Sequence, residues 1–247
     1  MERGILNTLY VVGIGAGDRD GMTLGAYKAL ENADVIVGYT VYCDLVRPYF
    51  PDKEIVATPM MREIERCRIA LEHAQRGKNT CMICSGDAGI YGMASPILEL
   101  APEYGVEVTV VPGVTAACSG AALLGSPLTC DFTVLSMSDL LTPMEIIEKR
   151  IEAAASCDIC AVIYNPASRK RADYLRRACE IMLRHRPEDT VCGVARNIGR
   201  EGERFEIMTL GELKDYAADM FTTVFIGNST TKVVNGKMVT PRGYRNE

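Results

Sequence analysis

The stretch VVGIGAGD at residues 11–18 decides how the first half of this chain is read. It closes LYVVGIG (residues 9–15), a short apolar run with the length and composition of a buried strand. Gly13 and Gly15 free the loop that follows to take conformations other residues avoid. Two more segments repeat the arrangement. ICSGDAGIYG (83–92) leaves the run TCMICS (80–85), and VVPGVTAACSGAALLGSPL (110–128) leaves VEVTVVP (106–112). In α/β sheets, ligands bind outside the carboxyl ends of the strands. Three glycine loops from one half of the chain therefore point to one crevice, holding one small molecule per chain.

Outward from these loops, strand and helix signals alternate. VIVGY (35–39) is another strand, and Thr23 is placed to cap a helix ending near Ala33. Ile64, Cys67, Leu71 and Ala74 recur at helical spacing, with Gly77 as a stop. This β-α-β order implies a parallel sheet with right-handed crossovers. The pattern restarts at DFTVLS (131–136), followed by CDICAVIY (157–164), TVCGVAR (190–196), RFEIMTL (204–210) and FTTVFIG (221–227). Capping boxes are read at Thr142-Pro143-Met144-Glu145 and at Thr209-Leu210-Gly211-Glu212. Strands that follow one another without long helices imply a mixed sheet in this half. The boundary falls in the small-residue stretch 113–127, giving two α/β domains, 1–116 and 117–247.

The 247 residues carry a net charge of −5, which argues against a nucleic-acid surface. No run of 18 apolar residues offers a membrane span, and MERGILNTLY lacks the features of a secretory signal. Ten cysteines without such a signal suit a reducing compartment, so a cytoplasmic protein is expected. The pairs Cys81/Cys84 and Cys157/Cys160 have metal-ligand spacing. Both lie in apolar runs read as core strands, where positions three apart face opposite ways. No metal site is expected. His73 and His185 fall in charged helical stretches and read as solvated helix residues.

GIGAGD matches the dinucleotide fingerprint only in part. Asp18 stands where the third glycine belongs, its carboxylate ill placed for a pyrophosphate, and VIVGYT carries no acid for a ribose. A ligand without phosphates fits better, and S-adenosylmethionine is one.

At this point the motifs resemble those of the tetrapyrrole (corrin and porphyrin) methyltransferases, from about residue 8 to 240. VGIGAGDRDGMT is similar to that family's VGxGPGDPxxxT, with Ala16 in the proline position. SGDAGIYGM, VPGVTAACSGAALLGSPLTCDF, YNPASRKR, GVARNIGREGE and TVFIGNSTT resemble its precorrin-3B / cobalt-factor III C(17)-methyltransferase branch. The resemblance implies a class III methyltransferase with the donor site between its two domains, and a homodimer. It implies donor contacts at Ala16, Gly86, Asp87, Tyr91, Thr115, Ala116, Tyr164, Asn165 and Asn197. It also implies methylation of carbon 17 of precorrin-3B or cobalt-factor III, with ring contraction, on the route to vitamin B12.

The residues suit that chemistry. An electron-rich carbon needs alignment with the methyl donor more than it needs a strong base. Asp18 and Asp87 are the loop carboxylates available for the proton transfers of ring contraction, or else turn residues accepting N–H bonds. Arg169, Lys170, Arg171 and Arg196, with Arg200 nearby, are expected to hold the carboxylates of an anionic tetrapyrrole. The alternatives are another corrin methylase on the same fold and a non-catalytic Rossmann-type binding protein.

Overall fold

A computed structural model describes residues 8–168 and 173–244. Its contacts divide the chain into two units, Met1–Ala116 and Ala117–Glu247.

Unit 1 holds β1 (Thr8–Gly13), α1 (Leu24–Glu31), β2 (Val35–Tyr39), α2 (Thr40–Val46), β3 (Glu54–Thr58), α3 (Glu63–Gln75), β4 (Thr80–Cys84), α4 (Ala94–Tyr104) and β5 (Glu107–Val111). The strands form one sheet in the order β3-β2-β4-β1-β5, with every pair parallel. Period-two alternation sends one set of side chains to each face. Val12, Ile36, Cys81 and Ile83 pack with Ala26 and Leu30 of α1 and with Cys43 and Val46 of α2. Leu9, Val11, Val37, Met82 and Cys84 pack with Cys67 and Leu71 of α3 and with Ile97 of α4. A sheet buried on both faces is what a parallel, doubly wound arrangement requires. Cys81 and Cys84 thus serve opposite layers, as their spacing in a strand predicts. Burial pushes both thiols up to about 12. Thr23 caps α1, accepting the Ala26 N–H at 3.0 Å, and its hydroxyl donates to the Pro112 carbonyl at 3.1 Å.

Unit 2 continues with α5 (Ala116–Leu124), whose first residue belongs to unit 1, and β6 (Gly125–Ser126), β7 (Phe132–Ser136) and α6 (Met144–Ser156). Then come β8 (Cys160–Tyr164), α7 (Tyr174–Met182), β9 (Val191–Arg196), β10 (Arg204–Thr209) and α8 (Leu210–Leu213). The last elements are β11 (Thr222–Ile226), β12 (Lys232–Val234) and β13 (Lys237–Val239). The main sheet runs β10-β9-β11-β8-β7; only β7 and β8 are parallel, so the sheet is mixed. Ile147 and Ile151 of α6, Leu175 and Met182 of α7, and Leu210 and Leu213 of α8 cover one face. On the other face α5 comes close. A Cβ on Gly120 would lie 2.8 Å from the Phe225 ring, and one on Gly193 would lie 2.6 Å from the Leu124 side chain. That proximity is why the stretch around α5 is so rich in Gly and Ala.

Several readings need correction. The box at Thr142 does not form. Helix α6 starts one residue later than the box requires, and the Pro143 carbonyl receives the Ile146 N–H at 2.9 Å, so Thr142 stands too early to cap. The box at Thr209 forms in both directions. Cys157 is not in a strand but ends α6, exposed, while Cys160 is buried in β8. Ile64, expected on the buried face of α3, is 49% exposed; Ala70 joins Cys67, Leu71 and Ala74 there. Several elements were not read, among them helices α2, α4 and α5 and strands β3, β6, β12 and β13. Strand β3 is half exposed, and its sequence EIVAT holds only three consecutive apolar residues, a short signal. The hairpin β12–β13 turns on Asn235-Gly236, both at positive φ, a legible hairpin signal. Strand β6 is two residues long, pairing with β13.

Candidate functional site

In unit 1 the three glycine loops leave adjacent strands, β4, β1 and β5, all at one edge because all run parallel. The loops are packed backbone to backbone. Gly15 and Gly86 exchange hydrogen bonds, N–H to carbonyl, at 3.1 and 2.6 Å. A Cβ on Gly113 would lie 2.2 Å from the Gly86 carbonyl oxygen and 2.5 Å from that of Gly13. Asp87, half-buried, ties two loops together: Oδ1 accepts the Gly89 N–H at 2.8 Å and Oδ2 the Gly113 N–H at 3.0 Å. Gly86 has φ 66°, and its missing side chain would face Thr115 and Ala116 at 3.6 Å. Its glycine is therefore required by backbone conformation. Ala16 is buried beside this cluster in sequence, and Thr115 and Ala116 are partly buried. Tyr91 lies in the turn before α4, 59% exposed with φ 53°. Asp18 is exposed and caps the short turn Arg19–Gly21, accepting the Gly21 N–H at 3.3 Å.

In unit 2 the carboxyl ends of β7, β8 and β9 share an edge with the start of β11, because β11 runs antiparallel to β8 and β9. Side chains, not glycines, furnish this edge. The Tyr164 hydroxyl accepts the Ala117 N–H of α5 at 2.7 Å. Asn165 and Asn197 follow β8 and β9, each at φ 52°. Among the described residues six non-glycine residues have positive φ, and Tyr91, Asn165 and Asn197 are three of them. Such strain in L-residues gathers at sites of function. Arg196 is ion-paired through Nη2 with Asp219, and its Nε is buried without a hydrogen-bond partner. Arg200 lies over the Phe221 ring, 5.9 Å from its centre. Arg169, Lys170 and Arg171 lie outside the described residues.

The sequence reading missed Ser136 and Asp219, which bind these strand ends. No motif marks them, since each acts through a neighbour on another strand. Among the described residues no group of three His, Cys, Asp or Glu side chains is arranged to hold a metal. No helix there is long and apolar enough to cross a membrane. His185 Nε2 lies 2.5 Å from Glu152, and His73 Nδ1 is buried without a partner.

Residues 8–214 match the family profile described as Tetrapyrrole (Corrin/Porphyrin) Methylases. The chain is 47% identical to the probable cobalt-factor III C(17)-methyltransferase of Salmonella typhimurium, over 96% of this chain and 99% of that one. It is 37% identical to the precorrin-3B C(17)-methyltransferase of a Sinorhizobium species, over 96% and 97%. A solved structure, the methyltransferase CobJ, superposes with a TM-score of 0.88 at 34% identity, covering 95% of this chain and all of that one.

Proposed function

Because the chain belongs to the tetrapyrrole (corrin/porphyrin) methylases, we propose that it transfers a methyl group from S-adenosylmethionine to carbon 17 of a corrin precursor, with ring contraction. Cobalt-factor III is the substrate favoured by the likeness to the Salmonella protein, and precorrin-3B is the second reading. One observation carries the donor half. Tyr91, Asn165 and Asn197, named from motifs alone, all have positive φ, unusual for the tyrosine, and the two asparagines directly follow strands β8 and β9.

The donor residues proposed are Ala16, Gly86, Asp87, Tyr91, Thr115 and Ala116 in unit 1, and Tyr164, Asn165 and Asn197 in unit 2. They suit the ligand. Loop backbone and neutral side chains can meet an adenosine and a zwitterionic amino acid without a dedicated phosphate site. When bound, the donor supplies an electrophilic methyl on a sulfonium. The chain's task is to align it with the nucleophilic carbon, which is worth about 7–11 kcal/mol when ideal. Asp87 has both oxygens engaged by backbone N–H groups, so its proposed part is to hold the loop. Asp18, exposed at its turn, is the carboxylate proposed for proton transfer. Arg169, Lys170 and Arg171 are proposed to hold substrate carboxylates. Arg196, paired with Asp219, is proposed there too.

Two domains divided at Ala116, a homodimer and a cytoplasmic location complete the reading. The ten free cysteines, two of them exposed, support a reducing compartment. Light scattering of the purified protein checks the dimer. The activity is tested by incubating the protein with S-adenosylmethionine and either the cobalt-bearing or the metal-free macrocycle, then measuring product masses. One added methyl group on the cobalt form is expected. No methyl on either overturns the proposal. Asp18→Asn is expected to slow contraction by about 10²-fold or more while leaving S-adenosylhomocysteine affinity unchanged.

A further inference from the structure

Asn165 and Asn197 hold φ 52° at the ends of β8 and β9. Asparagine enters that region more readily than other side-chain-bearing residues, and here each asparagine is also tied to its neighbours. Neighbouring strand ends supply those ties. Ser136, the last residue of β7, is the register partner of Tyr164. Its Oγ accepts the Asn165 side-chain amide at 3.0 Å and the Ser138 N–H at 3.2 Å. Asp219 does the same work for Asn197 by a longer route. Its Oδ1 accepts the Phe221 N–H at 3.0 Å and the Thr222 hydroxyl at 2.8 Å, and its Oδ2 pairs with Arg196. The Phe221 carbonyl in turn receives the Asn197 N–H at 3.2 Å. Asp219 therefore grips both the residue before Asn197 and the residue bonded to it. Arg196 and Thr222 face each other across β9 and β11, so the three groups close one ring of contacts.

We propose that Ser136 and Asp219 are positioning residues that preset Asn165 and Asn197 to receive the methyl donor. The inference rests on the reading of these asparagines as donor contacts. Each acts through its neighbours, Ser136 through Asn165 and Asp219 through Arg196 and Phe221. Ser136 fixes the direction of the Asn165 amide, and Asp219 ties down the side chain before Asn197 and the residue that accepts the Asn197 N–H. A site held in its binding geometry avoids the ordering cost that a loose one meets on binding.

Calorimetric titration with S-adenosylhomocysteine tests this in the full chain, with melting temperatures recorded alongside. Ser136→Ala and Asp219→Asn are each expected to bind about five- to tenfold more weakly, one hydrogen bond or charge contact being lost. Ser136→Thr keeps the hydroxyl and is expected to retain most of the affinity. Asn165→Gly accepts positive φ freely but lacks the amide. Adding Ser136→Ala to Asn165→Gly is expected to cost nothing further, because the serine acts through the asparagine. Additive losses in that pair, or wild-type affinity in folded Ser136→Ala and Asp219→Asn, overturn the proposal. Should Asp219→Asn fail to fold, the serine series decides it alone. A wild-type protein that does not bind S-adenosylhomocysteine overturns the donor reading first and this inference with it.

Discussion

The two units finish their strands in different materials. In unit 1 the edge is backbone against backbone, with Gly13, Gly15, Gly86 and Gly113 in mutual contact. In unit 2 the corresponding edge is made of Ser136, Tyr164, Asn165, Arg196, Asp219 and Thr222. Strand direction explains the contrast. Where β4, β1 and β5 are neighbours and parallel, three loops emerge side by side at strand spacing, about 4.8 Å. Little room is left for side chains. Where β11 returns between β8 and β9, an incoming segment alternates with outgoing ones, and polar side chains fill the gaps.

The sharpest way to break this comparison is Gly113→Ala. The added methyl would meet two carbonyl oxygens at 2.2 and 2.5 Å, neither of which can rotate away. A loss of about 3 kcal/mol in urea unfolding is expected. A tolerated substitution would mean that the unit 1 edge is looser than its contacts indicate.

Next comes the layering beneath the edge. Burial raises Cys81 and Cys84 from an ordinary 9.0 to about 12, so the folded state keeps protons the unfolded state releases. Their stabilising contribution is complete below pH 9 and is lost as pH rises from 9 towards 12. The slope is about 1.4 kcal/mol per thiol per pH unit. Unfolding titrations from pH 8 to 10.5 should show this fall, and Cys81→Ala should make it shallower.

Gly86→Ala separates space from conformation. Nothing lies closer than 3.6 Å to its Cβ, so only the positive φ opposes it, at about 1–2 kcal/mol. A loss equal to that of Gly113→Ala would show that the two glycines answer the same constraint.

The smallest effect compares two similar sequences. Thr209→Ala removes a working cap in unit 2 and is expected to cost about 1 kcal/mol. Thr142→Ala should fall within about 0.5 kcal/mol of wild type, because that threonine caps nothing. Equal losses would refute the assignment of the α6 start.

Much of this was legible beforehand because it depends on local pattern. Apolar runs ending in glycine located β1, β4 and β5, and the shift to closely spaced strands announced a mixed sheet in the second half. The motifs named the family without any coordinates. What failed was local in appearance but not in cause. The Thr142 box has the right letters one residue out of place, since Pro143 supplies the first helical acceptor. Half-exposed β3 offers only a three-residue apolar run, shorter than the runs of β1 and β4.

By itself, the sequence determined the alternation of strands and helices, the parallel sheet of unit 1 and the positions that mark the family, because periodicity, glycine and motif spacing are properties of neighbouring residues. Only the tertiary structure decided that Gly86 is needed for its φ, that Arg196 is held by Asp219, and that the Asn165 amide donates to Ser136. These depend on strand register, which brings Ser136 to Asn165 and Arg196 to Thr222 from distant points in the chain. Register is fixed by the burial of whole faces, and no short stretch of sequence contains it.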